Sequence, residues 1–278
     1  MRADRVPKYG QILRLLTLSS HESRLVAPAE RLALPGVAGV WPTCECTLMR
    51  VNFFAAQHRI GGAMEYPQGH AAGSKARTFR QTRALVRSDL YRYAGDVRLA
   101  SFLRHFLFTP GFKYSAVMRL CGYLREGRLR RWLLYPPFKL LLLRYRYKYG
   151  IAIPEYTRIG PGLFINRFGG VMVNGDAIIG ANCNITHGAM LGQLNRGPRA
   201  GSPVLGDEVF LAAGCKVIGR VRIGDRAAVG ANAVVTKDVP DDGVVGGIPA
   251  KLLSSQGSEG YINRRVSPDC ANGFRPLD

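Results

Sequence analysis

Between Val173 and Pro240 a branched apolar residue returns at every sixth position. The series runs Val173, Ile179, Ile185 and Leu191 and resumes after an insertion with Leu205, Leu211, Val217, Ile223, Val229 and Val235. A small or compact residue sits four places after most of them, as at Ala177, Cys183, Ala189, Cys215, Ala227 and Ala233. A period of six matches neither the face of a helix nor the alternation of a single long strand. It predicts short strands that point branched residues inward, joined by turns in which Gly, Asn or Asp supplies a positive φ. The result is a triangular solenoid with three hexads per coil. Ile153, Ile159 and Ile165 carry the pattern upstream, with a two-residue shift between Val171 and Val173, so about five coils are expected.

Upstream of the hexads the period changes. From Ser88 the apolar residues fall three and four apart, with Leu99, Phe102, Leu103, Phe106 and Leu107 on one stripe. Pro110-Gly111 breaks that run, and a second helix follows through Val117, Leu120, Cys121 and Leu124. A segment from Trp132 to Tyr149 contains Pro136-Pro137 and is expected in two pieces. The expected organisation is a low-order extension over 1–82, a helical region over 83–150, the solenoid over 151–253 and a polar tail over 254–278, ordered only near Leu252 and Leu253. Met64 precedes a sequence that reads as a natural start, so the residues before it are expected to be a translated upstream region.

Composition narrows the function less than the period narrows the fold. The formal charge of +20 over 278 residues points to phosphates, an anionic surface or a solvated basic face. With no zinc-finger spacing and no aromatic-basic RNA motif, nucleic acid is not the expected partner. Arg144, Arg146 and Lys148 alternate with Tyr145, Tyr147 and Tyr149, a stripe that suits peripheral membrane contact. The favoured reading is instead a helix that covers the open end of the solenoid. Cys183 and Cys215 fall at small inward positions and read as core, while Cys44 and Cys46 lack a second pair to complete a metal site. No apolar run reaches the length of a membrane span, and the first residues are too polar for a secretory signal, so the chain reads as cytoplasmic.

The insertion Gln193–Val204 leaves the hexad register, and a loop leaving a rigid scaffold is where a site can be built. His187 is the only histidine in the repeats. At a turn, a neutral imidazole can take a proton from a hydroxyl, or it can be an ordinary exposed turn residue; spacing alone does not choose.

Several motifs together carry a resemblance. The hexads, Pro110-Gly-Phe112 before a helix containing Arg119, the lead-in Tyr149-Gly-Ile-Ala-Ile153, Gly169-Gly-Val-Met-Val-Asn174 and the closing Gly246-Gly-Ile-Pro-Ala-Lys251 resemble the hexapeptide-repeat acetyltransferases. The likeness covers about residues 83–265, and the nearest branch is the serine acetyltransferases with their relatives in exopolysaccharide synthesis. It implies a left-handed parallel β-helix, usually trimeric, with acetyl-CoA bound between neighbouring subunits. Handedness of that kind departs from the right-handed crossover rule. It also implies a histidine as general base, direct attack of a hydroxyl on the thioester and no metal.

The chain departs from that family at three positions. Arg167 stands where the family carries its first histidine, Ser202 stands in a Ser-Pro pair where the family has His-Pro, and Ala152 aligns with the family's aspartate. His187, 20 residues after Arg167, is then the expected base, one coil and two positions along, with Arg167 holding an anionic acceptor or the oxyanion. Ala213, Gly214 and Ala231 are the expected backbone contacts for acetyl-CoA, and Lys216, Lys237 and Lys251 the candidate phosphate partners. The acceptor is expected to be L-serine, with a sugar hydroxyl as the alternative and a catalytically degenerate trimeric scaffold as the third reading.

Overall fold

The computed structural model describes residues 78–269 and 274–277. Cys44, Cys46, the Met64 start and nearly all of the expected extension lie outside the described residues. Five helices come first: α1 (Phe79–Ala94), α2 (Leu99–Phe108), α3 (Pro110–Glu126), α4 (Arg128–Leu133) and α5 (Tyr135–Tyr149). Helix α1 opens nine residues before the apolar period becomes visible. Thr78 and Gln81 form a reciprocal capping box there, so Phe79–Thr82 belong to the helix and not to the extension. Pro110 occupies the first turn of α3, where its missing N–H costs nothing.

Residues 151–246 form the solenoid. Side I stacks Ile151–Ala152, Val171–Val173, Met190–Gly192, Lys216–Ile218 and Val234–Val235. Side II stacks Arg158–Ile159, Ile178–Ile179, Val204–Leu205 and Arg222–Ile223. Side III stacks Phe164–Ile165, Asn184–Ile185, Phe210–Leu211, Ala228–Val229 and Val244–Gly246. All pairings between coils are parallel. Every branched hexad residue from Val173 to Val235, and every compact residue four places later, is buried in one continuous core. The six-residue period is thus the inward-facing set of a three-sided prism.

A solenoid leaves unpaired backbone groups on the edge of its first coil, and here α1 and α3 satisfy them with side chains. Tyr114 Oη donates to Ile153 O (2.8 Å) and accepts from Ile153 N (3.0 Å). Tyr93 Oη pairs in the same way with Ile165, at 3.1 and 2.8 Å. Between them Arg119 donates to Ile159 O (2.8 Å) and Gly160 O (2.7 Å), Asp89 accepts from Leu163 N (2.9 Å), and Ser88 Oγ accepts from Gly162 N (3.2 Å). Arg119 and Asp89 are themselves joined by two hydrogen bonds of 3.0 and 3.1 Å and are fully buried. Gly111 permits the close approach: a Cβ there would lie 2.3 Å from Ile165 O. The cap expected from the third helical segment is therefore chiefly the work of α1 and α3, with α5 adding Leu142 and Tyr149 to the core.

The tail differs from expectation. Leu252 and Leu253 are exposed, in a strand (Lys251–Ser254) that turns back antiparallel on Val244–Gly246. Beyond it the chain runs back along side III. Ser258 Oγ donates to Glu208 O (2.6 Å), Tyr261 stacks on Phe210, and Asn184 Nδ2 donates to Tyr261 O (2.8 Å). Asn182 then exchanges two hydrogen bonds with the buried Val266, and Arg92 of α1 reaches Asn263 O and Asn184 Oδ1. Polar side chains on the solenoid bind the backbone of this tail, so its own polarity hid its order.

Burial holds Cys183 and Cys215 inside the prism and Cys121 under α5, and it pushes each thiol up to about 12. A raised value leaves about one thiolate in ten thousand at about pH 8. Iodoacetamide on the native chain is expected to leave these three unmodified by peptide mass spectrometry, and to alkylate all three after denaturation. Rapid native alkylation of Cys183 or Cys215 would contradict the core assignment.

Candidate active site

The corner from side III to side I carries Arg167, His187, Ala213 and Ala231 in successive coils. Ile165 pairs with Ile185 and Ile185 with Leu211, so residues two places on share one column. Asn166 N donates to Ile185 O (3.0 Å), and Thr186 N to Leu211 O (3.1 Å). The 20 residues between Arg167 and His187 are therefore one complete coil. The two extra residues fall after Arg167, in Phe168-Gly169-Gly170, because Met172 pairs with Met190 at the ordinary 18. This corrects the offset expected from a uniform coil: Arg167 and His187 are direct neighbours one strand spacing apart, roughly 4.8 Å along the axis.

The corner is built from backbone more than from side chains. Gly188 and Gly214 turn with φ of 71° and 72°, and a Cβ on Gly188 would lie 3.2 Å from the Gly214 Cα. Small residues here let the turns stack closely and leave their backbone within reach of a ligand. Lys216 Nζ donates to Gly188 O and Gly214 O, both at 2.9 Å. Two of its protons are thus engaged in bracing the turns after His187 and Ala213, a role its position in the hexad did not reveal. His187 and Arg167 are exposed, and neither side chain has a hydrogen-bond or ion-pair partner among the described residues. Phe168 packs edge-on against Tyr149 at 6.0 Å, which sets the Arg167 turn beside the end of α5. Lys251 follows the closing turn Gly246–Ala250, which continues this corner: Gly230 N donates to Val245 O, and Val234 N to Gly247 O.

Ser202 and Lys237 lie elsewhere, at the corner from side I to side II. Ser202 Oγ donates to Asn174 Oδ1 (3.0 Å), and Asn174 Nδ2 donates to Gln193 Oε1 (3.2 Å). The insertion folds as a hairpin on this corner, with Leu194 and Gly201 exchanging backbone hydrogen bonds of 3.0 and 2.8 Å. Arg199 fastens it to Asp238, next to Lys237, at 3.0 Å. One chain thus places the candidate residues in two groups separated by a full side of the prism. Lys237 and Lys251 are both exposed. A cavity of about 560 Å³ lined by Glu208, Arg226, Asp242 and the tail lies at the remaining corner, away from both groups. Among the described residues no three His, Cys, Asp or Glu side chains converge as metal ligands.

Known proteins agree with this architecture. Residues 202–237 match a family described as bacterial transferase hexapeptide (six repeats). The serine acetyltransferase of Helicobacter pylori is 34% identical over 148 residues, which are 53% of this chain and 84% of that protein. A solved structure of soybean serine acetyltransferase complexed with serine superposes with a TM-score of 0.53 and 31% identity, covering 62% of this chain and 70% of that one. The Brucella abortus enzyme in complex with coenzyme A gives a TM-score of 0.52 and 26% identity, covering 63% and 67%. The chain belongs to the serine acetyltransferase family of hexapeptide-repeat transferases, and its prism is the family's left-handed parallel β-helix. It spans 59%, 41% and 49% of the length of three further serine acetyltransferases that it matches.

Proposed function

We propose that the protein transfers the acetyl group of acetyl-CoA to a hydroxyl, with L-serine as the acceptor. The observation that carries this reading is the column of Arg167, His187, Ala213 and Ala231: an exposed imidazole without a partner among the described residues, next to a cation and above turns of bare backbone. The relatives support both substrates, since one is complexed with serine and another with coenzyme A.

In this reading His187 removes the hydroxyl proton as the oxygen attacks the thioester carbonyl. The C–O bond forms, the C–S bond breaks, and the imidazolium returns its proton to the departing sulfur. Arg167 holds the carboxylate of serine. The small corner at Ala213 and Ala231 accepts the donor's chain, and Lys251 meets a phosphate. Backbone N–H groups of the corner are the available oxyanion donors.

The split of candidate residues between two corners supports a homotrimer, in which the Ser202 and Lys237 corner of one copy faces the His187 corner of the next. The second reading, a sugar hydroxyl as acceptor, draws on the basic, aromatic face of α4 and α5.

Thiol release from acetyl-CoA by the purified chain separates these readings, with L-serine or a nucleotide-linked sugar as acceptor and Arg167→His as the companion variant. Release that requires serine is the expected result, and release only with the sugar would replace serine as acceptor. Silence with both, rescued in Arg167→His, would mean that catalysis was lost at that residue; silence in both proteins would leave a scaffold.

A further inference from the structure

Helices α4 and α5 are apolar on two faces. The inner face places Leu142 and Tyr149 in the core. The outer face carries Leu129, Leu133, Pro136, Leu140 and Tyr147, spaced four, three, four and seven residues apart, so they fall on one row of a nearly continuous helix. Leu129 is 78% exposed, Leu133 69%, Leu140 67% and Tyr147 82%, and Trp132 beside them is 85% exposed. Such a contiguous apolar row on a surface marks an interaction site.

The charges around the row identify the occupant. From Gly127 to Pro154 the chain has seven Lys and Arg and no Asp or Glu. Lys139 is paired with Glu155 at 2.7 Å and Arg130 stacks on the Tyr123 ring at 3.9 Å, which leaves five exposed cations on these helices, Arg128, Arg131, Arg144, Arg146 and Lys148. A second copy meeting this face symmetrically would set those cations against their own kind. A nucleic acid would satisfy the cations but would leave a central Trp and three leucines facing phosphate. An anionic lipid surface satisfies both: apolar side chains enter the acyl boundary, Trp132 sits at headgroup depth, and the Arg and Lys stems reach back to lipid phosphates.

We propose that the outer face of α4 and α5 docks the protein on a lipid surface bearing anionic headgroups, lying in the interface without crossing it. Among the described residues no helix is long and apolar enough to span a membrane.

The test is sedimentation of the full chain with vesicles of phosphatidylcholine alone or mixed with phosphatidylglycerol, at about 0.1 M salt. Binding to the mixed vesicles is expected, weakening as salt rises, with at least about a tenfold loss in the triple variant Leu129→Asp, Trp132→Asp, Leu133→Asp. Circular dichroism checks that this variant is folded. A second measurement does not depend on it: with Trp41→Phe, Trp132 is the sole tryptophan, and its emission is expected to shift to the blue with mixed vesicles only. Absent binding, or an unshifted Trp132, would overturn the proposal. So would a smaller assembled mass in the triple variant, which would assign the face to a second copy, or tighter binding to duplex DNA than to the mixed vesicles.

Discussion

His187→Ala is expected to lower kcat for acetyl transfer by about 10²- to 10⁴-fold while leaving the dissociation constant for CoA within about twofold of the parent chain. The magnitude is that of removing the proposed general base while the proposed donor surface stays intact. The imidazole projects from a turn whose backbone is fixed on both sides. Thr186 N is bonded to Leu211 O, Gly214 N donates to His187 O (2.9 Å), and Lys216 clamps Gly188 O. Shortening the side chain to a methyl therefore leaves the corner in place, and the Ala213 and Ala231 turns proposed to receive the donor lie in later coils. A residue that only shaped the turn would lower affinity and rate together, whereas a base lowers kcat alone. Steady-state kinetics with serine, together with calorimetric titration of CoA, distinguishes the two. Full activity in His187→Ala would remove the base from this column and leave Arg167 as a binding residue without a catalytic neighbour.

The hexad period was legible because each flat side of the prism turns one branched and one compact residue inward at fixed places in its six. The column of His187 and Arg167 was legible only in part. Its members could be named from the sequence, but their register depended on which residues of the first coil are extra. Gly169 and Gly170 mark that place, with φ of 107° and 68°, yet an apolar period that resumes at Val171 and Val173 cannot say on which side of Arg167 the chain lengthens. The bracing role of Lys216, a candidate phosphate partner by sequence, was illegible for a different reason: a hexad pattern does not show the carbonyls of neighbouring turns. Least legible were α1 and the tail. Helix α1 buries Thr82, Ser88, Asp89 and Arg92, and the tail is held by Asn182 and Asn184, so both pack through polar groups that leave no trace in an apolar pattern.

That same polar packing makes Arg119→Met the variant with the largest expected effect on stability, a loss of about 3–5 kcal/mol. The methionine replaces the volume of the alkyl stem but none of the hydrogen bonds. Ile159 O and Gly160 O lose the guanidinium donors that cover them at the edge of the first coil, and Asp89 keeps the Leu163 N–H but loses its counter-ion in a fully buried site. Burial already pushes the Asp89 carboxyl up, with Arg119 opposing it. Without the guanidinium the folded state holds a proton more tightly than the unfolded chain, so the variant's stability is expected to fall as pH rises above the ordinary carboxylate range. Chemical denaturation at about pH 5 and about pH 8 measures both the loss and its sign, and a loss that shrinks toward the higher pH would contradict the assignment. The double variant Asp89→Leu, Arg119→Met is expected to recover part of the loss, because an apolar pair leaves no buried charge behind. The consequence reaches the site through Tyr93, which binds both the amide and the carbonyl of Ile165, two residues before Arg167. An edge that frays at Ile159 and Gly160 loosens the coil that carries Arg167, while His187, one coil further in, keeps its ladder on both sides. In Arg119→Met the serine KM is therefore expected to rise at denaturant concentrations where CoA still binds.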